Sequence, residues 1–374
     1  MNDLYIGLMS GTSLDGVDAV LVAFAPDPSA PLKVLAHVHR AFEPALGAEL
    51  LALNTPGDNE LHRGALAANA VAQAYALAIG AVLGAAGVTA AQVRAVGAHG
   101  QTVRHRPGEF DGTGYTWQLL NPSLLAERCG IDVVSDLRNR DLAAGGQGAP
   151  LVPAFHRAVF ARPGQAVAVL NLGGMSNLTV WDDGGATLGW DCGPGNALMD
   201  LWCLRHTGRP YDESGGWAAG GRVVQPLLAR MLSEPYFQRS PPKSTGRDLF
   251  HAQWLQHHLD ALQDPPAPRD VQATLLELTA ACCSQELLRR APRIRELLVC
   301  GGGAHNEALM QRLAQCLPGV DVMPTDRRGL PAQQVEACAF AWLARAHVRG
   351  LTASLPSVTG ARVERRLGSL TPGR

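Results

Sequence analysis

Three glycine-containing turns and a pair of aspartates are the parts of this 374-residue sequence best suited to chemistry. Asp15 and Asp18 follow the first turn, and their carboxylates are suited to holding a hydrated Mg²⁺. Glycine lets the backbone come close to a ligand, so such turns can direct several N–H groups at an anion. A short glycine turn is weakly specific, and an ordinary structural turn stays open as the alternative for each. The turns comprise residues 10–13, 173–176 and 301–303.

The placement of the turns predicts two domains of similar design. The first turn joins two strand-like runs, and Asp15-Gly16 is predicted to form the reversal, because a primed hairpin turn needs residues that tolerate positive φ. The strand–turn–strand pattern returns at 167–181, shortly after the breaker pair Pro163-Gly164. We predict an α/β protein with a first domain of residues 1–163, a second of 164–350 and a tail, 351–374, that packs back on the first.

The elements that must position these turns alternate between strands and helices, which is typical of an α/β fold. Residue types and periodicity predict strands at 32–41, 93–98, 115–119, 131–135 and 187–196. They predict helices at 60–84, 122–129, 153–160, 197–206, 222–233, 252–262, 269–290, 307–317 and 331–348. Asn196 is predicted to cap the helix that begins at Ala197.

Composition excludes several classes of function. A net charge of −1 leaves no basic excess to neutralise phosphates, which argues against nucleic-acid binding. The eight cysteines show no paired spacing and no C-x-x-C, so reduced thiols in the cytoplasm are expected. We find no signal-peptide pattern and no uninterrupted apolar run of about 18 residues, and therefore expect no membrane partner.

The glycine turns fit neither of the two commonest nucleotide motifs. None matches G-x-x-x-x-G-K-[ST], and none has the G-x-G-x-x-G spacing of a dinucleotide site. Their order, one hairpin turn per domain and then a third glycine turn, resembles the phosphate-1, phosphate-2 and adenosine motifs of the actin/hexokinase/Hsp70 superfamily. That resemblance implies two duplicated, ribonuclease H-like domains with an ATP and substrate cleft between them.

A narrower resemblance covers residues 4 to about 368. The sequence is similar to the anhydro-N-acetylmuramic acid kinase family, whose motifs it keeps in order. The strings that carry this resemblance are Leu8–Asp18, His99–Thr102, Gly145–Pro153, Asn171–Gly174, Asp191–Asn196 and Gly301–Asn306.

The family resemblance implies an activity. Its members use ATP and Mg²⁺ to open 1,6-anhydro-N-acetylmuramic acid with water and to phosphorylate O6, which gives N-acetylmuramic acid 6-phosphate in bacterial cell-wall recycling. Asp191 corresponds to the catalytic base of the family and Glu336 to a second carboxylate that orients the water. Where the usual motif has Thr, this chain has Cys192, a change that spares the base. A helix-entry role for Asp191 and a solvent-facing Glu336 are the structural alternatives.

The resemblance also implies binding residues. Because arginine suits bidentate recognition of carboxylates, Arg138 or Arg140 would bind the sugar's lactyl carboxylate or N-acetyl group, although a loop arginine is often solvated. His99 could equally be a core histidine. The other predicted sugar-binding residues are Gln101, Thr102, Gln147, Gly195 and Asn196. The predicted ATP-binding residues are Gly11, Thr12, Ser13, Leu14, Asp15, Gly16, Val17, Asp18, Asn171, Gly173, Gly174, Gly301, Gly302, Gly303 and Asn306, with Asp18 and Asp15 holding Mg²⁺ through water.

Two other readings stay open at this point. A kinase of the same superfamily could phosphorylate an ordinary sugar hydroxyl, in which case Asp191 would deprotonate that hydroxyl and no water would enter the product. A non-catalytic, nucleotide-switched protein would need a partner-binding extension, for which the chain has no spare domain. A homodimer is an expectation from the family.

Overall fold

The computed structural model describes residues 3–11, 14–26, 32–162, 164–181, 186–247 and 249–373. These residues form two compact units. Unit 1 is made from the described residues up to Val159 together with those from Gln334 onward, and unit 2 is Phe160–Gln333.

Strands and helices alternate through the described residues, as the sequence predicts. The strands are β1 (Asp3–Met9), β2 (Gly16–Phe24), β3 (Lys33–Ala41), β4 (Val93–Ala98), β5 (Gln101–Pro107), β6 (Gly114–Leu119), β7 (Val133–Ser135), β8 (Val167–Leu172), β9 (Met175–Trp181), β10 (Thr187–Pro194), β11 (Glu296–Cys300), β12 (Asp321–Pro324) and β13 (Ser369–Thr371). The helices are α1 (Pro44–Ala52), α2 (Glu60–Ala86), α3 (Pro122–Cys129), α4 (Asn139–Ala143), α5 (Val152–Phe160), α6 (Ala197–Thr207), α7 (Gly216–Ala219), α8 (Gln225–Leu232), α9 (Ala252–Asp260), α10 (Pro268–Arg290), α11 (Glu307–Cys316), α12 (Val335–Val348) and α13 (Pro356–Thr359).

The main sheets of the two units share one strand order. In unit 1 the order is β3-β2-β1-β4-β7, and in unit 2 it is β10-β9-β8-β11-β12. In both sheets the first three strands in chain order form an antiparallel meander. The fourth strand pairs in parallel with the first, and the fifth pairs in parallel with the fourth. The predicted α/β class with a duplicated design is therefore confirmed. Unit 1 adds β13, which pairs antiparallel with β7.

Helix α2 covers one face of the unit 1 sheet. Its buried side chains recur at helical spacing, at Val71, Tyr75, Ala78 and Val82. They join the core that β1, β2 and β4 line. Gly87, in the left-handed conformation, ends the helix. By length and composition alone, α2 is the one helix of the described residues apolar enough to cross a membrane. Packing on the sheet accounts for its buried apolar residues, whereas Leu61, Leu66 and Leu77 are exposed.

The structure assigns α12 to unit 1, whereas the sequence prediction placed residues 164–350 in the second domain. The physical reason is two glycines in the unit 1 sheet. A Cβ on Gly7 of β1 would overlap the Ala337 carbonyl oxygen, and a Cβ on Gly97 of β4 would overlap that of Phe340. The helix therefore lies with its backbone directly on these strands. Domain boundaries fall at Val159/Phe160 and Gln333/Gln334 rather than at 163/164 and 350/351.

The first hairpin forms as predicted, but its reversal does not lie at Asp15-Gly16. Met9 pairs with Asp18, and Gly16 already belongs to β2, so the connection is residues 10–15. The left-handed residue described in this connection is Leu14, with φ +60°. Gly16 is needed for another reason: a Cβ there would overlap the Arg40 carbonyl oxygen of the neighbouring strand β3.

Candidate active site

Asp191 lies in unit 2, where a bulge interrupts the pairing of β10 with β9 between Asp191 and Gly193. Bulges often re-aim side chains next to active sites. The side chain is buried, and the residue keeps 8% of its surface exposed. Its Oδ2 accepts a hydrogen bond from the Thr245 N–H at 2.9 Å, and its main-chain N–H donates to the Lys243 carbonyl at 3.2 Å. The Tyr236 hydroxyl donates to the Asp191 carbonyl at 2.8 Å. The carboxylate is thus held in one place.

The predicted phosphate turn of unit 2 joins β8 to β9 and is held by backbone hydrogen bonds. The Gly195 N–H donates to the Gly174 carbonyl at 2.9 Å, and the Asn196 N–H donates to the Gly173 carbonyl at 2.8 Å. A Cβ on Gly195 would overlap the Gly173 carbonyl oxygen. Because β10 and α6 meet at Gly195-Asn196, this contact fixes the turn next to the strand that carries Asp191.

The third glycine turn lies beside the second. Strand β11 runs parallel to β8, with Cys300 opposite Asn171, and the chain then turns at Gly301, which has φ +81°. A Cβ on Gly301 would lie 2.5 Å from the Asn171 Oδ1, and a Cβ on Gly303 would lie 3.0 Å from the Asn196 Oδ1. Four predicted ATP or sugar contacts, Asn171, Asn196, Gly301 and Gly303, therefore meet at the carboxyl ends of parallel strands, where ligands bind in open α/β sheets.

The side chains of two asparagines in this region make hydrogen bonds to the main chain. Asn306 caps α11, because its Oδ1 accepts from the Leu309 N–H at 3.0 Å. Asn196 does not make the predicted cap on α6, since no side-chain cap bond forms there. Its Nδ2 instead donates to the Leu172 carbonyl at 3.0 Å, because Asn196 itself adopts helical φ and ψ and its side chain is directed at the neighbouring strand.

His99 joins two predicted ligand-binding segments of unit 1. One ring nitrogen, Nδ1, lies 3.0 Å from the Ser10 carbonyl oxygen at the exit of β1, and Nε2 lies 2.9 Å from the Arg138 Nη2. Burial and the Arg138 guanidinium lower the pKa of His99 to about 3. The ring is therefore neutral near pH 7, with Nδ1–H donating to Ser10 and Nε2 accepting from Arg138.

Gln101 is directed at the same turn. Its Nε2 donates to the Gly11 carbonyl at 3.0 Å, while its buried Oε1 has no hydrogen-bond partner among the described residues. The Thr102 hydroxyl accepts from the Gln118 amide at 3.2 Å. Ser10, at the start of the same turn, is held to helix α2, because its hydroxyl lies 2.7 Å from that of Tyr75. Thr12 and Ser13, both predicted phosphate contacts, lie outside the described residues.

The loop after β7 carries Arg138 and Gln147 and is fixed by a buried carboxylate. Arg138 donates to the Gly148 carbonyl at 2.8 Å. Asp141 accepts from the Gly148 N–H at 2.8 Å and from the Thr359 hydroxyl at 2.9 Å. Burial raises the pKa of Asp141, and these two hydrogen bonds oppose the rise. The Gln147 N–H donates to the Thr359 carbonyl at 2.8 Å, whereas Arg140 is exposed.

The predicted metal aspartates do not form a ready cation cage. Asp18 lies beside two histidines of β3, with its Oδ1 2.9 Å from the His37 Nε2 and 3.2 Å from the His39 Nδ1. Asp15 lies in the connection, and its carbonyl accepts from the Phe42 N–H at 3.1 Å. Among the described residues no three His, Cys, Asp or Glu side chains converge as metal ligands. A Mg²⁺ here would need water and phosphate oxygens for most of its coordination.

Comparison with known proteins decides the family. The family model for anhydro-N-acetylmuramic acid kinase matches residues 3–373. The chain belongs to this family. The anhydro-N-acetylmuramic acid kinase of Variovorax paradoxus is 59% identical over 99% of both chains, and that of Albidiferax ferrireducens is 56% identical over the full length of both. The kinase class predicted from the sequence is therefore confirmed.

Solved structures that resemble the chain are more distant. The activator of 2-hydroxyisocaproyl-CoA dehydratase from Clostridium difficile, with bound ADPNP, is 11% identical at a TM-score of 0.48 and covers 93% of this chain and 96% of its own. A ROK-family glucokinase from Streptomyces griseus, in complex with glucose and AMPPNP, is 14% identical at a TM-score of 0.37, with coverages of 91% and 99%. Both TM-scores lie below 0.5, and the family assignment does not depend on them.

Two further residues singled out in the sequence, Cys192 and Glu336, have defined places in the structure. Cys192 is wholly buried, and its thiol contacts Cys283 in the core of unit 2. Burial raises the pKa of that thiol, so it stays protonated and inert. Glu336 lies in the first turn of α12 and is half-buried.

Sequence reasoning gave no role to three residues that hold the candidate site. Tyr236 contacts Asp191, and Asp141 and Thr359 fix the Arg138 loop across 218 positions of sequence. The polar string Lys243–Arg247 is expected near the substrate by family resemblance, with a mobile loop as the alternative, and its main chain at Lys243 and Thr245 contacts Asp191. No local pattern connects Asp141 to Thr359.

Proposed function

We propose that the protein is an ATP-dependent kinase that opens 1,6-anhydro-N-acetylmuramic acid with water and phosphorylates O6. The products are N-acetylmuramic acid 6-phosphate and ADP, in bacterial cell-wall recycling. The observation that carries the proposal is the family match over residues 3–373, with relatives of that name 52–59% identical over nearly the whole chain. The geometry around Asp191 supports the mechanism.

Asp191 is the proposed general base. It would take a proton from the water that attacks the anomeric carbon while the bond to O6 breaks. Positioned bases of this kind contribute about 10²–10⁴-fold to a rate. The hydrogen bond from the Thr245 N–H to Oδ2 favours the ionised carboxylate and fixes its orientation. A base that must act on one small molecule of water depends on such fixing.

Glu336 is the proposed second carboxylate, which would orient the attacking water. Pairs of carboxylates serve this purpose in glycoside hydrolysis. Its place in the first turn of α12 gives it a rigid support, because α12 lies on the glycines of β1 and β4.

The two hairpin turns and the third glycine turn are proposed to bind ATP. Main-chain donors at Gly11–Asp18 would hold the β- and γ-phosphates, with Gly173-Gly174 as the matching turn of unit 2. The open positions at Gly173 and Gly302, where a Cβ would meet no atom closer than 3.6 Å, suit the close approach of a ligand. A bound Mg²⁺ would supply charge neutralisation for the transferred phosphoryl group. Asp18 and Asp15 are its proposed protein partners, reached through water.

Sugar recognition is proposed for Arg138, Gln101 and the Gly195-Asn196 corner. The Arg138 guanidinium is directed by His99 and the Gly148 carbonyl, and arginine suits a carboxylate such as the lactyl group. The buried Gln101 Oε1, which has no partner among the residues that the structure describes, suits a hydroxyl or amide donor of the substrate. His99 itself is satisfied at both nitrogens, so we propose that it positions Arg138 rather than the sugar.

Oxygen labelling tests the proposed reaction. The protein is given ATP, Mg²⁺ and the anhydro sugar in ¹⁸O-water, and the 6-phosphate is analysed by mass spectrometry within minutes. One ¹⁸O at C1 and none in the phosphate is expected. Unlabelled product incubated in ¹⁸O-water measures background exchange at the anomeric carbon. A 6-phosphate without label above that background would indicate direct phosphorylation of a hydroxyl and overturn the proposal.

The variant Asp191→Asn tests the base. It keeps the size of the side chain and is expected to lower kcat by about 10⁴-fold while the Kd for ATP stays nearly unchanged. Turnover near that of the wild type would remove Asp191 from the chemistry.

We further propose a cytoplasmic location, which agrees with the absence of any disulfide among the cysteines of the described residues.

A further inference from the structure

The Asp191 carboxylate depends on a short irregular segment. Two hydrogen bonds tie Asp191 to residues 243–245: the Asp191 N–H donates to the Lys243 carbonyl, and the Thr245 N–H donates to Oδ2. These residues belong to no helix or strand. Backbone without a hydrogen-bonded ladder needs other contacts to stay in place.

The Lys243 side chain provides the fixed point. It is 2% exposed, and its Nζ lies 3.5 Å from the Glu286 Oε1 on α10 and 4.8 Å from the centre of the Tyr236 ring. Burial lowers the pKa of Lys243, and the Glu286 carboxylate opposes that change. A buried ammonium is costly unless it stays beside its counter-charge, so Lys243 has one favourable place.

Glu286 is in turn held on its helix. Its side chain is 3% exposed, and Oε2 accepts from the Arg290 Nε at 2.9 Å, one helical turn away. Arg289 approaches the other oxygen at 3.4 Å, but its side chain is 43% exposed. The carboxylate therefore has a fixed position on α10, a helix whose apolar residues lie in the core of unit 2.

We propose that the buried Lys243–Glu286 ion pair positions the catalytic base, by fixing the segment whose carbonyl and N–H hold Asp191. The proposal rests on the proposed role of Asp191. Lys243 touches no reacting atom and is a positioning residue: its charge ties α10 to the segment, and the segment orients the carboxylate. The same contacts hold Tyr236, whose ring lies under the ammonium and whose hydroxyl donates to the Asp191 carbonyl.

Steady-state kinetics of single variants provide the first test. Lys243→Met keeps the length of the side chain without its charge, and Glu286→Gln keeps the shape of its partner. Each is expected to lower kcat by about 100-fold, the cost of a misplacement of about 1 Å, with the KM values for ATP and sugar within about 3-fold of wild type. Arg289→Met is the matched control, since it removes a cation from the same carboxylate without touching residues 243–245. Its kcat should stay within about 2-fold.

A paired variant separates positioning from stability. Lys243→Met/Glu286→Gln removes both charges of the pair, so neither Lys243 nor Glu286 is left as the unpaired charge of the two, and the Tm lost in the single variants should largely return. The kcat should remain at least about 10-fold low, because apolar contact does not fix the direction of the Lys243 carbonyl. Recovery of both Tm and kcat would overturn the proposal and leave the pair a purely structural one.

Amide hydrogen exchange tests the positioning without any substrate. In Lys243→Met the N–H groups of Thr245 and Asp191 should exchange about 10-fold faster or more, and in Arg289→Met at the wild-type rate. Unchanged exchange in Lys243→Met would refute the proposal whatever the activity. If the wild-type protein failed to turn over the anhydro sugar, the proposed function would fall, and the exchange measurement would still decide whether the pair fixes Asp191.

Discussion

The two units repeat one strand order but hold their hairpin turns in different ways. In unit 2 the turn at Gly173-Gly174 is held by backbone N–H groups of residues 195 and 196. In unit 1 the connection between β1 and β2 also has a main-chain bond, from the Phe42 N–H to the Asp15 carbonyl, but two buried side chains are added: His99 contacts the Ser10 carbonyl, and Gln101 contacts that of Gly11. The two turns thus share main-chain support, and the unit 1 turn depends in addition on polar side chains of the segment after β4.

The main sheets of the two units also differ in their glycines. Gly7 and Gly97 bring the backbone of α12 directly onto β1 and β4 of unit 1. The corresponding strands of unit 2, β8 and β11, have no glycine. Buried histidines also separate the units: His99 and His156, whose pKa values burial lowers to about 3, both belong to unit 1. Duplication fixed the strand order and left the supports of each turn free to diverge.

The largest predicted effect concerns the glycines under α12. Gly97→Ala should destabilise unit 1 by about 3 kcal/mol, since its Cβ overlaps the main chain of Phe340 and the whole helix must shift. Gly80→Ala is the control. Gly80 is exposed in α2 with no atom within 4 Å of an added Cβ, so alanine should stabilise by about 0.5–1 kcal/mol. Urea unfolding measures both. Equal stability of the two variants would refute close packing of α12 on β4.

Acid should weaken unit 1 before unit 2. A histidine whose folded pKa lies below its unfolded value of about 6.5 contributes stability that is present above that value and is lost as pH falls toward the folded pKa. With folded pKa values of about 3 for His99 and His156, we expect the free energy of unfolding at pH 5.5 to be roughly 1.4 kcal/mol lower per histidine than at a pH well above 6.5. Hydrogen exchange at pH 6.5 and 5.5, corrected for intrinsic rates, should show greater loss of protection in β1 and β4 than in β8 and β11. Equal losses would contradict this difference.

A side-chain variant should affect the unit 1 turn. Gln101→Leu removes the donor to the Gly11 carbonyl and should weaken ATP binding by about 1 kcal/mol, or roughly 5-fold in Kd. The control Gln118→Leu lies on the paired strand β6 and contacts Thr102 and Thr116 instead of the turn. Calorimetric titration with ATP compares them. If both variants bound ATP like wild type, the side-chain support of the turn would be without consequence for the nucleotide.

The smallest effect on stability is predicted for Asp18→Asn. Its side chain is 33% exposed, and such surface pairs contribute about 0–1 kcal/mol. The Mg²⁺ concentration that gives half-maximal activity should nevertheless rise by about 10-fold if Asp18 holds the metal through water. His39→Gln removes the more exposed of its two partners and should leave that concentration unchanged. An unchanged Mg²⁺ requirement in Asp18→Asn would remove this residue from the metal site.

Sequence reasoning succeeded where the signal is local. The apolar spacing along α2 predicts a helix that the structure contains, and the helix predicted at 122–129 is α3. It failed where a residue distant in sequence determines the role of a side chain. Gly16 resembles a turn residue, but glycine is needed there because β3 lies too close for a Cβ. Asn196 resembles a helix cap, but its amide donates to the Leu172 carbonyl. The same holds for α12, whose placement depends on glycines more than 200 positions earlier, and for the contacts of Lys243 and Thr359.

The position of α12 in the chain has a consequence for how the protein is made. On the ribosome the strands β1 to β7 emerge first, yet the helix that lies on Gly7 and Gly97 is synthesised only after all of unit 2. Unit 2 can therefore complete its core while one face of the older sheet is still uncovered. The first unit to be translated is the last to be finished, and until residue 348 has left the ribosome its bare glycine-lined strands must be kept from pairing with other chains.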